Sequence, residues 1–91
     1  MKDAEQYDSA LARITDALFC SHLASGSVPD GEELAAAIRG ALAEHDGWEG
    51  CMCAAALAYI DNETAATARR LWCQRIAVNA FTHGTTLPTC G

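Results

Sequence analysis

Cys51 and Cys53 stand two positions apart in "GCMCAAALAYI", and two thiolates so placed are raw material for a metal clamp or a redox couple. Cys20 and His22, in "CSH", make a second pair with the same spacing. Cys73, Cys90, His45 and His83 complete the stock of soft ligands. Helical geometry decides between chemistry and packing. Each residue of a helix turns about 100°, so side chains two apart diverge by about 200°. In a helix, Cys51 and Cys53 share neither one ion nor one disulfide, and Cys20 and His22 diverge equally. Only an irregular backbone, which Gly47 and Gly50 would permit, brings the two sulfurs together. Zinc sites use two well-separated Cys or His pairs, and no such spacing is present. The expectation is no bound metal and no cofactor, with the two cysteines serving as small apolar residues.

As single thiols the cysteines have different prospects. Cys51 falls early in a predicted helix, where the macrodipole favours a thiolate and burial opposes it. Cys20 lies opposite the main apolar stripe of its helix and Cys90 stands near the chain end, so both are expected to be accessible. Cys20, Cys51 and Cys90 are the candidate reactive thiols. No phosphate loop and no helical two-His motif occurs, and Glu32 and Glu33 belong to an exposed first helical turn. The histidines have no companion residues that would make a triad, so no catalytic residue is assigned and a non-enzyme is expected.

These residues must be positioned by helices. The composition, 51% hydrophobic and 20% charged, excludes a disordered chain. Alanine makes up about a fifth of the residues, and it is the best helix former. Tyr7, Leu11, Ile14 and Leu18 recur at helical spacing, with Ala12, Phe19 and Leu23 on a second edge, predicting a helix over 3–24. Glycines and a proline in "SGSVPDG" break it. Asp30 and Glu33 form a capping box for a helix over 31–46 with the stripe Leu34, Ile38, Leu42, stopped at Gly47. Asp46 and Glu49 repeat the capping spacing before a helix over 48–60 that is apolar on every side and is expected to be buried all round. Asp61 or Asn62 caps a last helix over 63–81. The residues 83–91, "HGTTLPTCG", have no periodicity and read as a flexible tail beyond a single domain, 1–82. The predicted fold is a compact all-α bundle of about four helices with the third at its centre.

Charge is uneven. Three basic and ten acidic residues precede Asp61, whereas Arg69, Arg70 and Arg75 outnumber Asp61 and Glu63 after it; the net charge is −6. The acidic, polar start "MKDAEQYD" lacks the marks of a signal peptide, and the apolar run Cys51–Ile60 is about half a membrane crossing. A cytoplasmic protein with free thiols and no membrane partner is expected; the odd count of five cysteines agrees.

Two macromolecular partners come into question. The region 54–75 has the outline of a helix-turn-helix, and Tyr59–Arg70 loosely resembles the reading heads of sigma-factor-type regulators, which implies a DNA-binding transcriptional regulator. The arginines weigh against it: on a wheel with Ala68 at zero they fall near 100°, 200° and 340° and form no single basic stripe. Glu63, beside Thr64 and Thr67 where base edges would be read, repels phosphate. Surplus apolar surface favours another protein or a second copy of the chain as partner. The expected contact residues are Phe19, Leu23, Leu71, Trp72 and Val78, with Arg69 or Arg75 as a charged anchor. Within the chain, Arg69 is expected to lay its stem on the core and pair with Asp16, Glu44 or Asp46. The fitting function is a small helical interaction module, homodimeric, with the DNA-binding regulator and a thiol or metal sensor as alternatives.

Overall fold

A computed structural model describes residues 2–82, with side chains for residues 10–80 and Thr82. Four helices follow one another: α1 (Lys2–Cys20), α2 (Gly31–Glu44), α3 (Trp48–Asp61) and α4 (Glu63–Thr82). The all-α bundle is as the periodicity predicts. The expected tail, 83–91, lies outside the described residues, and Cys90 with it.

Local chemistry sets each boundary. α1 stops at Cys20, short of the predicted 24. The Ser21 hydroxyl donates to Leu18 O at 2.6 Å and the Ser21 N–H reaches the same oxygen at 3.1 Å, which tightens the last turn. α2 begins with the predicted capping box: Asp30 accepts from the Glu33 N–H at 2.8 Å, and Glu33 accepts from the Asp30 N–H at 3.0 Å.

At the other end of α2, Asp46 takes a left-handed φ of 63° and the Gly47 N–H donates to Leu42 O at 2.8 Å. This is a Schellman closure, with Asp46 rather than glycine in the left-handed position. Gly47 is then the N-cap of α3, with φ 96° and ψ −172°. Essentially only glycine adopts that conformation. The predicted capping role of Asp46 is therefore replaced: it ends α2, and α3 starts without a side-chain cap. Asn62 alone connects α3 to α4, its side chain accepting from the Ala65 N–H at 3.1 Å.

The core explains the layout. Eight of the thirteen buried hydrophobic residues are Ala or Cys, so helices must approach closely to exclude water. The larger contributors Ile14, Leu18 and Ile38 are fully buried, each stabilising the fold by about 1.5–3 kcal/mol. α1 and α3 each meet all three other helices, but α1 does so more extensively, and α2 and α4 barely meet. The centre of the bundle is thus α1. Its buried set (Ile14, Thr15, Ala17, Leu18, Phe19) spans both the main stripe and the second edge.

The expected burial of α3 on every side is corrected. Cys51 and Ala55 are buried, but Met52, Leu57 and Ile60 are 53%, 65% and 82% exposed. An apolar sequence makes exposure costly but does not supply a covering element, and three neighbouring helices reach only one side of α3.

Candidate functional site

α3 is helical throughout, so the Cys-x-Cys pair diverges as helical geometry requires. Cys51 is fully buried with its Sγ donating to Ala41 O at 3.6 Å, and Cys53 is exposed. Cys20 is half-buried and donates from Sγ to Cys51 O at 3.1 Å. Burial, then the nearby Cys51 and Asp16, push the Cys20 thiol up to about 12. Burial raises Cys73 to about 11 despite Arg69 and Arg70, and burial also raises Cys51. These three are protonated thiols at neutral pH. Among the described residues no group of three His, Cys, Asp or Glu is placed to hold a metal ion. The accessible thiol of α3 is Cys53, which sequence reasoning passed over; its outward phase relative to Ala55 was the available signal.

Arg69 makes five hydrogen bonds. Its Nε donates to Phe19 O at 2.8 Å and its Nη1 to Ser25 Oγ at 2.8 Å. Its Nη2 approaches Leu18 O, Ser21 O and Leu23 O at 3.3, 3.1 and 2.9 Å. The guanidinium carbon lies 5.8 Å from the Phe19 ring centre and 5.7 Å from that of Trp72. Phe19 in turn stacks on Tyr59 at 6.2 Å. The last carbonyls of a helix lack intrahelical donors and carry the negative end of its dipole, so a forked cation fits there better than a carboxylate pair would. None of the three carboxylates expected for Arg69 is among its partners: Asp16 accepts from Arg70 at 2.7 Å, Glu44 meets His22 at 2.7 Å, and Asp46 closes the end of α2. Phe19, Leu23, Arg69 and Trp72, expected to face a partner, thus meet inside the molecule, where they join α1 to α4.

Leu71, Arg75 and Val78 do face outward. With Gln74 and Asn79 they line an open groove of about 410 Å³ on α4. At the start of α4, Glu63, Thr64 and Thr67 are exposed. Arg69 and Arg70 are engaged with α1, and the one-residue link at Asn62 is shorter than the three- or four-residue turn of DNA-reading helix pairs.

Three of the exposed large apolar side chains among the described residues lie together on α3. Met52, Cys53, Ala56, Leu57 and Ile60 are all exposed and fall within an arc of about 140°. Glu49 continues this arc at one end, and Asp61 and Glu63 stand exposed at the other. Beside the Met52 end opens a hollow of about 490 Å³ lined by Arg13, Asp16, Asp46, Trp48, Glu49 and Met52. No described helix is long and apolar enough to cross a membrane. No protein-family model, curated protein or solved structure matches the chain.

Proposed function

We propose that the chain is a non-enzymatic helical interaction module of the cytoplasm that binds another protein through α3 and pairs as a homodimer through α4. The observation that carries this reading is the outward stripe Met52–Ile60, five apolar side chains in solvent on a helix whose inner face already completes the core. Contiguous apolar surface on a small acidic protein is the usual mark of a contact site. Support for a non-enzymatic role comes from the thiols: the three held inside are pushed away from the nucleophilic form.

Charge assigns the two faces. α4 lies in the half of the chain where acidic residues do not predominate, so two copies approach there without repulsion. Leu71 and Val78 are two turns apart on one line. An antiparallel pairing about Gln74 and Arg75 sets Leu71 of one copy against Val78 of the other, and Gln74 against Arg75. One helix face is a small interface, so the dimer is weak, micromolar or looser.

Sedimentation over rising concentration tests the pairing. The average mass should climb toward the dimer for the wild type and for Ile60→Glu, and stay monomeric for Leu71→Glu. Recovery of bound proteins from cells with wild-type and Ile60→Glu bait tests the α3 face. A wild-type monomer at every concentration ends the homodimer assignment; an identical set of proteins on both baits ends the assignment of α3.

A further inference from the structure

The α3 face has a chemical character that narrows its occupant. Along its midline Met52, Ala56 and Ile60 recur every four residues, two large side chains around a small one, over about 12 Å. That profile is a notch able to take one bulky side chain from a helix lying across it. No basic residue occurs within α3. Glu49 marks one end of the stripe and Asp61 and Glu63 the other, while the hollow at the Met52 end is lined by Asp16, Asp46 and Glu49 together with Arg13. Asp16 is already paired with Arg70, which leaves Asp46 and Glu49 as the carboxylates at its mouth.

A second copy of this chain does not complement such a surface. Turned end for end about Ala56, it brings Glu49 against the Asp61–Glu63 end; laid parallel, it sets each carboxylate beside its own equivalent. Either arrangement opposes like charges in a chain of net charge −6.

We propose that the outward face of α3, together with the acidic hollow at its Met52 end, docks an amphipathic helix of another protein whose apolar stripe is flanked by lysine or arginine. The inference rests on α3 being a contact face and adds the class of its occupant. The partner's apolar residues, spaced three and four apart, cover Met52, Ala56, Leu57 and Ile60; one of its cations enters the hollow toward Asp46 and Glu49. Recognition then has two parts, apolar burial for affinity and charge for choice of partner.

Cys53 sits on the stripe and reports occupancy without any added label site. The full chain is alkylated under native conditions, and modification at Cys53 is followed by mass mapping in the presence of three synthetic peptides. One is an amphipathic leucine–lysine helix of about five turns. The others are its scrambled isomer and a leucine–glutamate analogue. The amphipathic leucine–lysine peptide should slow Cys53 modification about tenfold when present at about ten times its Kd. Ile60→Lys and the double change Asp46→Lys with Glu49→Lys should each remove the protection, and Leu71→Lys should leave it intact. All these positions are exposed, and helical circular dichroism checks that each variant is folded.

Equal protection by the leucine–glutamate analogue or by the scrambled isomer overturns the proposal, as does protection that survives the lysine double change. Slowing of Cys53 by raised protein concentration alone assigns the face to a second copy and also overturns it. In each of those cases α3 remains a contact face. Absence of protection by every peptide and at every concentration overturns the basic-helix proposal, and identical cellular partners on wild-type and Ile60→Glu bait is the separate result that removes the face itself.

Discussion

Arg69 ties the end of α1 to α4 through four backbone carbonyls and one hydroxyl, with its guanidinium between Phe19 and Trp72. Lysine offers a point charge in place of a fork, and methionine keeps the stem without any donor. Arg69→Met should therefore cost about 3 kcal/mol in urea unfolding, with Arg69→Lys losing less. The thiols give a second prediction at this scale. Cys20 and Cys73 ionise at about 12 and about 11 in the fold, against an ordinary 9.0. Below about pH 9 both states keep these protons and the thiols contribute nothing to pH dependence. Above it the unfolded chain releases protons that the folded chain retains, so stability falls as pH rises toward 11 or 12. Raising the pH from neutral to about 10 should lower the Tm of the wild type more than that of a Cys20→Ala, Cys73→Ala double variant.

Residues 21–30 join α1 to α2, but the two later corners have little slack, and at the one between α2 and α3 the backbones approach closely. A Cβ at Gly50 would lie 1.4 Å from His45 O and 2.6 Å from its carbonyl carbon, both backbone atoms that cannot step aside. Gly50→Ala should open this corner at a cost of about 3 kcal/mol. Gly40, in mid-α2 with open space around it, is the internal comparison: Gly40→Ala should stabilise by about 0.5–1 kcal/mol, since only helix propensity changes there. Thermal or urea unfolding of the pair separates close approach from conformational freedom. The same corner aims α3, and through it decides which of the α3 residues meet solvent.

For the molecule as a whole, a thin core of small residues and two outward apolar faces belong together. Alanine and cysteine let the four helices approach closely but leave Met52, Leu57 and Ile60 on α3, and Leu71 and Val78 on α4, exposed. The net charge of −6 opposes contact between copies through faces other than that of α4, whose single acidic residue is Glu63. The proposed association at α4 would add stability by mass action, so on that proposal the Tm of the wild type should rise with protein concentration. That dependence should vanish in Leu71→Glu and persist in Ile60→Glu, a scanning-calorimetry counterpart to the sedimentation result.

The amino-acid order by itself determined the helices and most of their ends. The Asp30–Glu33 box, the break near Gly47 and the cap at Asn62 are local events, decided by side chains within four residues of the backbone they satisfy. It also determined that Cys51 and Cys53 part company, because the angle between them follows from any continuous helix. Tertiary packing decided which face is which. Periodicity marks an apolar arc without saying how much of it neighbours will cover: α1 was covered on both of its apolar edges and became the centre, while α3, apolar all round, was covered on one side. The surroundings of Arg69 and Trp72 likewise come from the approach of α4 to the last carbonyls of α1, some fifty residues distant in the chain. Burial is a property of what arrives from elsewhere in the chain, and that is why a residue's type constrained its chemistry while the fold chose its surroundings.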